Sequence, residues 1–110
     1  MSWNKLAAIG DRGTILPLKA VGIDAHIIED AAEAPGTLRR LAQSKEYGII
    51  FVVEALLEHV REVMNEFSGH DLPAIILIPH ISGSEGRAAS IIRETMKKAA
   101  GYDVVARENE

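Results

Sequence analysis

Hydrophobic and polar positions alternate along this chain with two periods. Pro73-Ala-Ile-Ile-Leu-Ile-Pro79 places five consecutive apolar residues between two prolines, three of them isoleucine. The run is too short for a membrane helix and has no polar alternation. It predicts a strand covered on both faces, as in the middle of a parallel sheet. Gly48-Ile-Ile-Phe-Val-Val53 has the same character. Between them, Leu56, Leu57, Val60, Met64 and Phe67 fall on one helical stripe, with Glu58, Arg61, Glu62 and Glu66 opposite. Two apolar strands joined by an amphipathic helix form a βαβ unit.

The rest of the chain repeats that unit. Lys5-Leu-Ala-Ala-Ile9 predicts a first strand, closed by Gly10-Asp11, with Thr14 positioned to cap a short helix that tolerates Pro17 and ends at Gly22. Ala25-His-Ile-Ile28 predicts a weaker second strand near an edge. Asp30 and Glu33 have the spacing of a helix start. Pro35-Gly36 shifts the clean helix to about Pro35, with Leu38, Leu41 and Ala42 on its buried face. Tyr47–Val53 is the third strand, Ala55–Phe67 the next helix, Ser68–Asp71 a turn, and the Pro73–Pro79 run the fourth strand. Ser82–Gly86 is a glycine-serine loop. Arg87–Ala100 predicts a helix burying Ile91, Ile92, Met96 and Ala99, stopped by Gly101, and Tyr102-Asp-Val-Val-Ala106 is semi-apolar and extended. Four β–α pairs define a single-domain α/β protein: an open four-stranded parallel sheet with flanking helices, occupying residues 1–101 and followed by a tail, 102–110.

Composition narrows the function classes. Sixteen acids against 12 bases give a net charge of −4, which disfavours a nucleic-acid or anionic-membrane partner. With five aromatic residues there is no stacking platform for single strands. The absence of cysteine removes disulfide and thiolate chemistry. No segment approaches a membrane span, and the N-terminus lacks a signal-peptide apolar region, so a cytoplasmic protein without membrane insertion is expected.

No catalytic constellation emerges. Gly10-Asp-Arg-Gly13 follows the first strand but lacks the third glycine of a dinucleotide loop and the G-K-[S/T] ending of a Walker loop, so it reads as a strand-to-helix turn. Asp11, Asp30 and Glu54 each follow a strand end. Such carboxylates can hold magnesium, which invites comparison with Rossmann-like and receiver-like folds, in particular response-regulator receiver domains. Glu54 stands where those carry a phosphorylated aspartate, Asp11 is a lone acid, and a lysine-bearing fifth strand is missing. Helix-start carboxylates explain the three acids more simply. Among His26, His59, His70 and His80 no pair has helical metal-ligand spacing. His59 is expected on the exposed side of its helix and His70 in a turn, while His80, just past a strand end, is the one to test. Ser82 and Ser84 have no recognisable histidine–carboxylate partners, and Glu85 opposes anion binding at that helix start. No cofactor is expected.

Taken together, several stretches resemble the F subunit of the V-type/A-type rotary ATPase and ATP synthase. They are Leu6-Ala-Ala-Ile-Gly-Asp11 with Thr14 and Lys19-Ala-Val-Gly-Ile23; Glu29-Asp30; Glu46 before Tyr47-Gly-Ile-Ile; Leu72-Pro-Ala-Ile-Ile-Leu-Ile-Pro79; and Ile92-Arg-Glu-Thr-Met-Lys-Lys-Ala-Ala-Gly-Tyr-Asp-Val104. The chain departs from the family at Leu16-Pro-Leu18 and at His80, where a serine is usual. The resemblance spans residues 4–105. It implies a non-catalytic component of the central stalk in the soluble sector, binding the coiled-coil D subunit and turning inside the A/B hexamer, where nucleotide is processed. The alternative is a receiver-like signalling or small-ligand-binding domain, which magnesium and a phosphoryl donor would reveal.

Loops at the strand C-terminal ends are the usual functional edge of such sheets. Ile81, Ser82 and Gly83, the helix after them, and Tyr102, Val104 and Val105 of the tail are therefore the candidate partner interface; the alternative for Val104 and Val105 is that they pack back on the domain.

Overall fold

The computed structural model describes residues 3–79 and Glu94, which is helical and exposed. Strands β1 (Lys5–Gly10), β2 (Asp24–Ile27), β3 (Tyr47–Val53) and β4 (Ala74–Ile78) form one all-parallel sheet in the order β2-β1-β3-β4. The expected open parallel α/β architecture is therefore present. The β4 run is covered on both faces, as its pattern predicts: Ile75 and Leu77 pack against one core, Ile76 and Ile78 against the other. Among the described residues it pairs only with β3, and Ala74–Leu77 are half-buried rather than enclosed. Within the described sheet the central strands are β1 and β3. An apolar run records that both faces are covered in part; it does not record how many neighbours the strand has.

Two cores sandwich the sheet. On one face Ala7, Ile9, Ile50 and Val52 meet Leu38, Leu41 and Ala42 of α2 (Ala34–Gln43) and Val60 and Val63 of α3 (Leu57–Phe67). On the other, Ala8, Phe51, Val53 and Ile78 meet Ile15, Leu18 and Ile23 around α1 (Arg12–Ile15). Alternate residues of β1 and β3 thus enter opposite cores, and Ile9, Ile50, Phe51 and Val52 are all fully buried. Each such side chain contributes about 1.5–3 kcal/mol relative to exposure. The stripe read on α3 was one residue short. Val63 is buried with Val60, whereas Leu56, Leu57, Met64 and Phe67 are half-buried.

The helix starts also differ in detail. Asp11, not Thr14, is the N-cap of α1, and Thr14 lies inside the first turn as its partner. The helix continues as a 3-10 turn, Leu16–Val21, with Pro17 at its start, and stops at Gly22, whose φ of 88° is the left-handed conformation expected of a C-terminal glycine. Asp30 caps a 3-10 turn, Ala31–Glu33, that leads into α2 with Pro35 in its first turn. A further 3-10 turn, Glu54–Leu56, precedes α3. The second strand begins one residue earlier than its apolar pattern, at Asp24, which is exposed.

Two glycines set how closely these layers approach. A Cβ on Gly10 would lie 2.9 Å from Val53 Cβ and 3.0 Å from Ile15 Cγ1, so the end of β1 touches β3 and α1 only because a side chain is missing there. At Gly48 a Cβ would lie 2.5 Å from the Trp3 carbonyl oxygen. Gly48 is also the extra residue in a β-bulge: Lys5 pairs with Tyr47 and Leu6 with Ile49. The bulge turns Tyr47 onto the same face as Ile50 and Val52.

Replacing Gly10 with alanine is expected to cost about 1–3 kcal/mol through overpacking of a site whose neighbours, Val53 and Ile15, are almost completely buried. Urea unfolding measures it; an unchanged midpoint contradicts the close packing.

Candidate functional site

The strand order reverses between β1, whose chain goes next to β2, and β3, which lies on its other side. In open parallel sheets the ligand crevice falls at that switch, beyond the strand C-terminal ends. The residues there are Gly10-Asp11 and Val53-Glu54. Asp11 Oδ2 accepts hydrogen bonds from the Thr14 amide (3.1 Å) and the Thr14 hydroxyl (3.0 Å), and Thr14 is fully buried. Asp30 Oδ1 accepts from the Ala32 amide at 3.0 Å. Both carboxylates thus satisfy first-turn amides that have no partner within a helix. Glu54 is exposed at the start of its 3-10 turn and makes no cap bond. Among the described residues no group of three or more histidines and acids is placed to share a metal ion. Helix capping accounts for Asp11 and Asp30, as the sequence suggested.

The other sequence candidates divide in two. His59 and His70 are exposed, and the His70 ring centroid lies 6.1 Å from that of Phe67, tilted by 49°. His80, Ile81, Ser82, Gly83, Tyr102, Val104 and Val105, together with the predicted helix Arg87–Ala100 apart from Glu94, lie outside the described residues.

Sequence reasoning passed over the polar groups at the β2 edge. The bulge at Gly48 lets the Tyr47 hydroxyl cross beneath β1 and donate to Asp24 Oδ2 at 2.7 Å. This bond ties the outer strand β2 to the central strand β3. Burial, reinforced by the bonded carboxylate, pushes the Tyr47 phenol up to about 12. Two residues further along β2, His26 is half-buried, and its Nε2 has no hydrogen-bond partner. Burial holds its pKa below the ordinary histidine value, Arg40 on α2 adds to the effect, and Asp24 opposes it. Lys19, Gly22 and these β2 residues line an open cleft of about 430 Å³. The available signals were polar residues alternating with apolar ones in Asp24-Ala-His-Ile27 and a glycine inside an otherwise β-rich run.

These features define a doubly wound α/β domain in which Asp11 and Asp30, at two of the strand ends, cap the turns that follow. The model of the ATP synthase (F/14-kDa) subunit matches residues 6–96. The F subunit of the V-type ATP synthase of Fusobacterium nucleatum is 38% identical over 101 residues, covering 92% of this chain and 95% of that protein. Its Clostridium perfringens counterpart is 31% identical over 103 residues (94% and 97%), and the A-type counterpart of Methanothermobacter thermautotrophicus 31% over 104 (93% and 97%). The chain belongs to the family of ATP synthase F subunits. It is thus a component of a V/A-type ATP synthase, and no helix among its described residues is long and apolar enough to cross a membrane.

Two outcomes test the β2 edge. Tyr47→Phe is expected to lower stability by about 1–2 kcal/mol, since it removes a hydrogen bond to a carboxylate; an unchanged urea midpoint contradicts this. For His26 the folded state binds its proton less tightly than the unfolded state, whose value is 6.5. The unfolded state therefore carries more protons below that pH, and stability falls as pH drops from about 6.5, levelling off below the folded pKa. The charged groups acting on it are Arg40 from α2 and Asp24 from its own strand. His26→Phe should flatten the profile below about pH 6.5; an identical slope in the variant excludes His26 as its source.

Proposed function

We propose that this chain is a non-catalytic component of the central rotor stalk, in the soluble sector of its ATPase, and that it binds the D subunit inside the A/B hexamer. In this reading nucleotide is hydrolysed or made on A and B, and the chain helps to couple that chemistry to ion transport by holding the rotor together. The observation that carries it is the family match along residues 6–96, with relatives aligned over 95% and 97% of their own length. The geometry supports it in a simpler way. Gly10, Asp11 and Glu54, where an α/β enzyme would gather its chemistry, form a tightly packed turn and the starts of two helices. A sheet with two packed cores is a rigid platform for presenting loops to a partner.

The partner edge is assigned to the segment leaving β4, with Ile81, Ser82 and Gly83, and to the tail residues Tyr102, Val104 and Val105. The tail, 102–110, is treated as an appendage of a domain comprising residues 1–101. Ending the chain before Tyr102 is expected to weaken binding of the D subunit about ten-fold or more while thermal unfolding stays cooperative. Isothermal titration of the D subunit into the full and shortened chains measures this, and equal affinities would remove the tail from the interface.

A further inference from the structure

Register places three polar groups of the β2 edge on one face of the sheet. Asp24 lies beside Ala7 and His26 beside Ile9. Ala7 and Ile9 enter the core beneath α2 and α3, as does Tyr47, so Asp24 and His26 share that face. Ala25 and Ile27, between and after them, pack toward the other core. The strand rise sets Asp24 and His26 about 6.6 Å apart. A small shift of β2 therefore brings the imidazole to the carboxylate, which in the closed arrangement accepts the Tyr47 hydroxyl at 2.7 Å.

His26 Nε2 is shut off from solvent and has no hydrogen-bond partner among the described residues. A neutral imidazole tolerates this better than a charged one, because both nitrogens of the imidazolium are donors. Protonation would leave a charged N–H buried without an acceptor. The surrounding elements do not relieve it. Arg40 on α2 repels the charged ring, and Lys19 from the 3-10 turn lines the same cleft. Lys5 on β1, which Asp24 also attracts, is paired with Glu46 at 3.0 Å. Asp24 favours the imidazolium, but Tyr47 from β3 holds its carboxylate. The strand that carries these groups is itself weakly held. It is four residues long, exposed to half-buried, and among the described residues it pairs only with β1. Such an element can open while the rest of a domain stays folded.

We propose that Asp24, His26 and Tyr47 form an acid-operated latch: protonated His26 takes the Asp24 carboxylate from Tyr47, and β2 swings away from the sheet while β1, β3 and β4 remain folded. The proton comes from solvent, and only hydrogen bonds change. Closed, the half-buried ring resists the proton; open, it titrates as an ordinary histidine near 6.5. Each pH unit between the two values biases the edge about ten-fold toward opening. Opening bares the hydrogen-bonding edge of β1, so the latch sets the pH at which that edge is available for pairing. The inference is independent of the rotor-stalk reading.

Amide hydrogen exchange of the full chain, followed by NMR from about pH 7.5 to about pH 5 and corrected for intrinsic exchange, tests the latch. Protection of the β2 edge, including the Ile28 amide that donates to the Gly10 carbonyl at 2.8 Å, should fall about ten-fold per pH unit below about 6.5. Protection of the β3 amides should not change. The Tyr47 ring signals should shift with the same midpoint as His26. Tyr47→Phe should raise the His26 midpoint, because Asp24 is released and opening is easier. His26→Gln should leave β2 protection independent of pH. Equal loss of protection in β2 and β3 means that acid acts on the whole domain, and the latch falls. It falls equally if the Tyr47 signals do not follow His26, if Tyr47→Phe leaves the His26 midpoint in place, or if β2 of His26→Gln still opens in acid. Should His26→Gln not fold, the comparison of β2 with β3 in the wild-type chain decides.

Discussion

The rest of the molecule depends on the close contact between β1 and β3. Both strands are buried on both faces, so each alternate side chain has to fit one of two cores. At the end of β1 the fit allows no side chain at Gly10, where Val53 and Ile15 occupy the space. That contact sets where Asp11 emerges. Asp11 then begins α1 by satisfying the first-turn amide and hydroxyl of Thr14, and α1 closes the second core. A glycine, a cap and a buried threonine thus act as one unit at the position where related architectures hold ligands.

The outer strand β2 is held differently. It is four residues long, and its residues are at best half-buried, so hydrophobic burial alone anchors it weakly. The bulge at Gly48 supplies what burial does not, by aiming Tyr47 across β1 to Asp24. The arrangement leaves His26 half-buried, with no partner for Nε2 among the described residues. A buried polar atom in that state costs free energy, and the cost rises when the ring is protonated. Acid therefore weakens the β2 edge through His26.

Much of the architecture was legible because periodicity is a direct record of burial. The third strand and the buried face of α2 emerge from Tyr47–Val53 and from Leu38, Leu41 and Ala42 as the pattern predicts. The misreadings arose where pattern and neighbourhood diverge. The isoleucine run of β4 recorded cover on both faces, and such a run does not state how many strands it pairs with. Thr14 and Asp11 are both good caps, and only the backbone conformation decides between them. The Tyr47–Asp24 bond joins residues 23 apart in sequence and depends on a bulge, so no local spacing announces it. The resemblance to the family was carried by the order of short motifs, among them Ile-Gly-Asp11 and Leu72–Pro79, rather than by any residue that does chemistry.

The strand-end aspartates Asp11 and Asp30 cap the turns of their own domain, and family membership places the chain in a V/A-type ATP synthase. The most direct test of the central claim is to tag this chain in its own cells, purify it under mild conditions and quantify what accompanies it. The account predicts the A, B and D subunits, with D in a one-to-one ratio to the tagged chain. Recovery of the chain without D, or with a phosphoryl-transfer partner in its place, would contradict it.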